Sequence, residues 1–339
     1  MHIGLTGWQR EAAEGDYSEL LALFQRADAL GFDSLWLPEY HLRRTGLPYP
    51  SPLLLAAAVF ATTERMRVGT GVTLLPVTHP LSLAEQLAQL DVQSGGRLDV
   101  GIGRGNDVAA LTALGVPPDE KHARFVAAYD ILLRAWGEGT VSSDNGPWRF
   151  ADVEVGPAPA QCPHPPIYVA GASPETIGFA VERGLPHLLS LEPPEGRQLD
   201  RWRACVGVGG RMTGLGASSL NRYIFIGRTD SEANALLDRA LFHIFKRRRW
   251  SPVDITDRDA VAVARANLIR QQAIVGSPDT CIREIERTVR EFGTGHLRCV
   301  FNALGGLDRA ATLAGMELFA RDVLPAVRAI QPPPDPLVA

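Results

Sequence analysis

The chain has 339 residues, a formal net charge of −4, and 45% hydrophobic against 21% charged residues. That balance supplies a large buried core and speaks against nucleic acid as a main partner, because an acidic surface repels a phosphate backbone. Cys162, Cys205, Cys281 and Cys299 are scattered without paired or metal-type spacing, and no leader or long apolar run stands out. The expectation is a cytoplasmic protein with free thiols, no bound metal and no membrane partner.

In chain order, His2 to Gly7 reads as an extended segment, and Leu20, Leu21, Leu23, Phe24, Ala27 and Leu30 then recur at the spacing of one helical face, with Gly31 at the helix end. Ser34 to Leu37 is the next buried strand. A polar loop to Tyr49 follows, then an apolar helix from Pro52 to Ala61 and a strand from Arg67 to Leu75. His79-Pro80 opens a helix with proline at its first position, and Gly95-Gly96 ends it before the strand that begins at Leu98. Lys121 to Trp136 is helical. Gly139 to Pro159, rich in Gly, Pro, Asp and Asn, is a hairpin-like excursion around Trp148 and Phe150.

The alternation resumes with a strand at Ile167 to Ala170, a helix at Pro174 to Glu182, a strand at Leu188 to Ser190 and a helix around Arg197 to Cys205. Arg222 to Ile226 is a seventh strand and Ser231 to Phe245 a helix. His296 to Phe301 is an eighth strand, with a helix over Leu307 to Ala329. Eight strands, each followed by a helix, predict an α/β fold, a (β/α)8 TIM barrel with insertions after strands 4 and 7. Residues 1–330 are expected to form one such domain and 331–339 a proline-rich tail. The second insertion, Lys246 to Arg270, carries a mixed, charged pattern and is read as a mobile lid over the catalytic end, with its run Lys246-Arg247-Arg248-Arg249 read as a solvated helix end.

In such a barrel the loops after the strands carry the chemistry. Leu98-Asp99-Val100-Gly101-Ile102-Gly103-Arg104-Gly105-Asn106-Asp107 runs from a strand into a glycine-rich turn. Its amides and Arg104 suit a phosphate, and a tight turn with a surface arginine is the alternative. Ala170-Gly171-Ala172-Ser173-Pro174-Glu175-Thr176 leads a strand into a helix N-terminus with two hydroxyls, which suits either a phosphate or a plain Ser173 cap. Glu39, Tyr40 and His41 follow the second strand, where a phenol and an imidazole can exchange protons or simply pack. No Gly-x-Ser-x-Gly elbow or His-Glu-x-x-His motif is present.

Several stretches together resemble the bacterial luciferase-like flavin monooxygenases. They are Glu39-Tyr40-His41 with Ser51-Pro52, Val68-Gly69-Thr70-Gly71-Val72 with Leu75-Pro76 and His79-Pro80, and Asp91 with Ser94-Gly95-Gly96-Arg97. Gly101-Ile102-Gly103-Arg104-Gly105 and Ala170 to Glu175 complete the set, which spans Ile3 to Arg328.

The resemblance implies reduced FMN supplied by a separate flavin reductase, dioxygen as co-substrate, a small or medium organic substrate, and a homodimer. It assigns cofactor binding to Arg104 and Asn106 in the glycine turn, to Ala172, Ser173 and Thr176 at the second phosphate turn, and to Ser190 and Leu191 beside the ring. Gly71 and Val72 match a place where the family often has a non-prolyl cis peptide. Tyr40 stands where light-emitting members have a histidine, so light emission is not expected. His41 and Tyr40 are the candidate catalytic pair, with His41 favoured because an imidazole both gives and takes a proton near neutral pH. Leu191 replaces a tryptophan and Gly171 an acidic residue. Two other functions fit the same residues: a deazaflavin-dependent oxidoreductase, and a non-catalytic flavin-binding partner subunit.

Overall fold

A computed structural model describes residues 1–7, 16–42, 50–138, 140–144, 146–191, 195–206, 216–247 and 252–332. Its strands, in chain order, are β1 (His2–Leu5), β2 (Ser34–Leu37), β3 (Arg67–Thr70), β4 (Thr73–Leu74), β5 (Leu98–Gly103) and β6 (Val141–Ser143). They continue with β7 (Phe150–Val153), β8 (Ile167–Val169), β9 (Ser219–Ile226), β10 (Ala273–Gly276) and β11 (His296–Val300). Helices separate the principal strands, which is the element order of a (β/α)8 barrel. The chain divides into two compact units, Met1–Trp36 with Gly171–Ala339, and Leu37–Ala170.

In the first unit the parallel pairings run β10-β9-β11-β1-β2, with His2 opposite His296 and Leu5 opposite Cys299. Parallel strands need long crossovers, and helices supply them. The helix Tyr17–Leu30 is one: Asp16 caps it by accepting the Ser18 N–H at 2.8 Å, and Leu20, Leu23, Phe24 and Ala27 are buried. Phe301 of the strand end meets Phe32 and Phe319 edge-on, at 5.7 and 5.4 Å between ring centres. Aromatic pairs of this geometry add to the burial of their apolar surface.

In the second unit β5 is central, parallel to β3, β4 and β8, and all six of its residues are buried. A strand buried on both faces reads as largely apolar and small, and Leu98 to Gly103 carries one charged side chain, Asp99, which Arg67 pairs. The helix Pro52–Thr62 starts at the Ser51 cap with Pro52 at its first turn, and Pro80–Ser94 starts at His79, whose Nδ1 accepts the Leu81 N–H at 3.3 Å. The excursion around Trp148 and Phe150 is the antiparallel β6–β7 hairpin.

The structure differs from the sequence reading at several places. Arg67 to Leu75 is not one strand: β3 and β4 are separated by Gly71-Val72, and Leu75–Val77 is a 3-10 turn. Leu188 makes a single bridge to Ser219, so Leu188 to Ser190 is not a full strand. The helix that opens just beyond the glycine-rich turn, as the sequence leads one to expect, is the short Val108–Ala113. Within the insertion from Lys246 to Arg270 the preceding helix runs to Arg247, and Arg258–Gln271 is a helix capped by Asp257.

The strand β10 and the helix Pro278–Phe292 also escaped notice; the helix buries only Cys281, Ile285, Thr288 and Val289, a narrow stripe among charges. Leu307 to Ala329 is two helices, Arg309–Asp322 and Leu324–Arg328, divided where Pro325 cannot donate an N–H. The tail from Pro333, most of the loop Trp8 to Tyr17, the loop Arg43 to Tyr49, and Arg248 and Arg249 of the basic run lie outside the described residues. Among the described residues no helix is long and apolar enough to cross a membrane.

Two imidazoles, His187 fully buried and His296 half-buried, make the first unit acid-sensitive. His187 is fully buried, and its pKa is lowered from 6.5 to about 4 by burial, with the Arg298 charge adding to the effect. The Gly171 backbone lies beside the ring without completing a well-formed hydrogen bond, and offsets only part of this. His296, stacked on His2 at 4.9 Å, is likewise lowered to about 4, by burial first and the His2 charge second. Between pH 6.5 and 4 the unfolded chain binds these two protons and the folded chain does not, so stability falls as pH falls through that window. The expected loss approaches about 3 kcal/mol per imidazole at the acid end. Urea midpoints measured at steps from neutral pH to about pH 4.5 should decline accordingly; a flat profile would contradict the neutral state of both rings.

Candidate active site

In the Leu37–Ala170 unit, the chain leaves β2 into Glu39-Tyr40-His41. The Glu39 side chain is nearly buried, 7% exposed, and its Oε1 lies 2.6 Å from His41 Nε2. Its second oxygen accepts the Leu74 N–H at 3.0 Å. These groups face a small cavity, polar at Glu39, Tyr40, His41 and Asn106 and apolar at Leu74 and Leu111. Polar groups converging on one side of an apolar hollow are the usual make-up of a small-molecule site.

Beside β4, the peptide bond between Gly71 and Val72 is cis, as the resemblance implies. Val72 packs against the end of β5: a Cβ added at Gly103 would stand 2.5 Å from Val72 Cγ2. No side chain larger than hydrogen fits there. Thr70 Oγ1 donates to the Gly101 carbonyl at 2.7 Å, tying β3 to β5 beneath this contact.

Where β5 ends, three basic side chains gather. Arg104 Nη1 lies 3.3 Å from His122 Nδ1, and Lys121 Nζ donates to the Gly105 carbonyl at 3.3 Å. The Lys121 pKa is lowered, by burial first and by the Arg104 charge second. Lys121 and His122 also open the helix Lys121–Gly137, whose first turn holds no acidic residue. The Lys121 charge at a helix N-terminus opposes the helix dipole, and a bound anion would relieve both that opposition and the Arg104–Lys121 repulsion. Asn106 lines the cavity next to this cluster, and Asp107 caps the helix Val108–Ala113 by accepting the Ala110 N–H at 3.2 Å.

In the other unit, Gly171 has φ +146°, and a Cβ there would stand 2.8 Å from Thr176 Cγ2, so glycine suits the turn both by conformation and by space. Ser173 caps the helix Pro174–Glu182: its Oγ accepts the Thr176 N–H at 3.3 Å and lies 3.2 Å from the Thr176 hydroxyl. Arg201 donates to the Ala172 carbonyl. Ser190 is tied to Gln198, whose amide donates to the Ser190 carbonyl at 2.9 Å and accepts the Ser190 N–H at 3.3 Å. Leu191 is buried in an apolar cluster with Tyr223, Phe225, Leu237 and Leu268, and its carbonyl accepts from the buried Gln272 side chain.

Of the residues singled out in the sequence, Tyr40, His41, Gly71, Val72, Arg104 and Asn106 thus lie in one unit, where Tyr40, His41 and Asn106 share a cavity. Ala172, Ser173, Thr176, Ser190 and Leu191 lie in the other. Sequence reasoning overlooked Glu39 as a partner of His41, and overlooked Lys121 and His122. The signal for the last two was legible as two basic residues opening a helix.

The family profile described as luciferase-like monooxygenase matches residues 3–296. The alkanal monooxygenase alpha chain of the Kryptophanaron alfredi symbiont is 27% identical over 337 residues, covering 91% of this chain and 92% of that protein. The 4-hydroxyprotoasukamycin monooxygenase of Streptomyces nodosus subsp. asukaensis is 30% identical over 320 residues, covering 90% of this chain and 85% of that protein. Among solved structures, the oxygenating constituent of 3,6-diketocamphane monooxygenase from Pseudomonas putida, in complex with FMN, superposes with a TM-score of 0.79 at 21% identity, covering 98% of this chain and 99% of that one. The α/β fold of the TIM-barrel type is shared with it.

Proposed function

Because the chain belongs to the luciferase-like monooxygenase family, flavin-dependent oxidoreductases by kind, we propose that it is the oxygenase component of a two-component system. Reduced FMN arrives from a separate flavin reductase, dioxygen is the co-substrate, and a small or medium organic molecule is oxygenated. The observation that carries this reading is the gathering of Arg104, Lys121 and His122 at the end of β5. Two cations, one of them a guanidinium fork, beside an imidazole fit a phosphate monoester such as that of FMN. When bound, reduced FMN supplies the two electrons that leave one oxygen atom of dioxygen as water and the other in the product.

The chain's own residues then have distinct tasks. Arg104, with Lys121 and His122, holds the phosphate, and Asn106 donates or accepts beside it. Gly71 and Val72 keep the role toward the ring that the resemblance gives them; Ala172, Ser173, Thr176, Ser190 and Leu191 belong to the other unit and carry only the resemblance's assignment as cofactor-binding residues. The apolar side of the cavity, Leu74 and Leu111, excludes water. His41 moves the proton, with Tyr40 as a second donor at the same cavity. The free, buried thiols of Cys281 and Cys299 agree with a cytoplasmic setting.

Oxygen uptake that requires both reduced FMN and an added organic compound, measured over a panel of candidate substrates, tests the reading; hydride transfer without uptake would replace it with the deazaflavin alternative. Reduced FMN is expected to bind more tightly than oxidised FMN. Arg104→Ala should weaken the binding of both, by about 1.5–3 kcal/mol for one lost charge-assisted contact. Calorimetry giving the parent affinity in the variant would remove Arg104 from the site.

We further propose a homodimer formed through the helices Pro52–Thr62 and Pro80–Ser94. The first carries no charged residue and leaves Leu54 77% exposed, and the second leaves Val92 49% exposed. An apolar helix face of this kind suits a self-complementary contact. Light scattering should find a dimer at micromolar concentration and a monomer for Leu54→Arg; a monomeric parent protein would end the proposal.

A further inference from the structure

His41 has two ring nitrogens, and proton transfer needs the right one to be bare. Glu39 decides which. An ionised carboxylate only accepts hydrogen bonds, and both its oxygens are engaged: Oε2 takes the Leu74 N–H at 3.0 Å and Oε1 faces His41 Nε2 at 2.6 Å. His41 Nε2 must therefore carry a hydrogen, which leaves Nδ1 as the acceptor of the neutral ring. The carboxylate is itself held, since Leu74 belongs to β4 and pairs with Gly103 of the fully buried β5. A nearly buried carboxylate anchored to a sheet strand, against an imidazole 26% exposed, is the arrangement of an orienting group and the ring it orients.

From this geometry we propose that Glu39 is a positioning residue that fixes His41 as the Nε2–H tautomer and sets its ring against β4, so that Nδ1 is the atom that exchanges a proton with substrate. The proposal rests on the reading of His41 as the acid/base group. When Nδ1 takes a proton the ring becomes an imidazolium, and the Glu39 carboxylate at 2.6 Å stabilises that charge without itself being protonated. Glu39 needs no contact with substrate for this.

Glutamine at this position makes a sharp test, because it keeps shape and loses one acceptor. The Leu74 N–H can only donate, so the single amide oxygen of Glu39→Gln must serve it. That turns the amide NH2 toward His41 Nε2, which then has to accept, and the histidine is driven to the Nδ1–H tautomer. Imidazole 15N spectra of the full-length protein, taken at about pH 8.5 where an ordinary imidazole is neutral and assigned through His41→Asn, read the tautomer directly. The parent should show hydrogen on Nε2, and Glu39→Gln should show it on Nδ1, with turnover lowered roughly 10²–10⁴-fold, as for a misoriented acid/base group, and KM little changed.

A parent spectrum with hydrogen on Nδ1 overturns the proposal before any variant is made, and an unchanged tautomer in Glu39→Gln overturns it afterwards. Parent-like turnover in Glu39→Gln, beside lost turnover in His41→Ala, removes the positioning role and leaves the acid/base reading standing. Parent-like turnover in His41→Ala removes the acid/base reading, and with it any catalytic use of the tautomer.

Discussion

His41→Ala is expected to lower the rate of substrate oxygenation by roughly 10²–10⁴-fold, the usual contribution of a positioned acid/base group, while FMN affinity stays close to that of the parent. The two effects separate because the groups are separate: His41 meets Glu39 on the loop after β2, whereas the phosphate cluster stands at the end of β5. Tyr40→Phe is expected to cost less, since a phenol is neutral near pH 7 and acts there mainly as a donor, with no free base to accept a proton, whereas an imidazole does both. Stopped-flow measurements with reduced FMN, dioxygen and a substrate identified by oxygen uptake distinguish the two residues. If both variants oxygenate at the parent rate, Tyr40 and His41 are packed side chains with no part in the chemistry.

The largest stability effect is expected at Arg67. Its guanidinium grips Asp99 with two hydrogen bonds, Nη2 to Oδ1 at 2.7 Å and Nε to Oδ2 at 3.0 Å, and donates to the Gly96 and Leu98 carbonyls, each at 2.9 Å. Nη2 also reaches Gln161 Oε1 at 3.1 Å, and Gln161 in turn donates to both oxygens of the fully buried Asp91, at 2.8 and 2.6 Å. Burial would lower the Arg67 pKa, but the Asp99 hydrogen bond and charge outweigh it and the pKa is raised. The neighbouring Tyr168 is pushed up to about 12, by burial first and the Asp99 charge second, so it stays neutral.

Arg67→Met therefore strands a buried carboxylate, and the expected loss is about 3–5 kcal/mol. Removing both charges, as in Arg67→Met with Asp99→Asn, should recover part of that loss, because the cost lies in the uncompensated charge. Denaturation midpoints of the two single variants and the double variant close the cycle, and a loss under about 1 kcal/mol for Arg67→Met would mean the pair behaves like an exposed one.

The family, the strand–helix alternation and the main helix boundaries are legible in the order of residues alone. Pro174–Glu182 and Tyr17–Leu30 were legible to the residue because caps, prolines and terminal glycines are local chemistry. What it missed had no local mark. β10 is four residues long and defined by its pairing with β9, and the helix Pro278–Phe292 hides its buried stripe among arginines and glutamates.

The same division holds at the site. Tyr40, His41 and Arg104 stood out as reactive side chains after strands, but their partners are remote in sequence. Leu74 comes 35 residues after Glu39 and His122 comes 18 after Arg104, and only the folded sheet brings them within hydrogen-bond reach. Residue type fixes what a side chain can do, and a single chain in order displays it. Which nitrogen of His41 is bare, and whether Arg104 shares an anion with Lys121 and His122, depend on distances across the sheet, which packing alone decides.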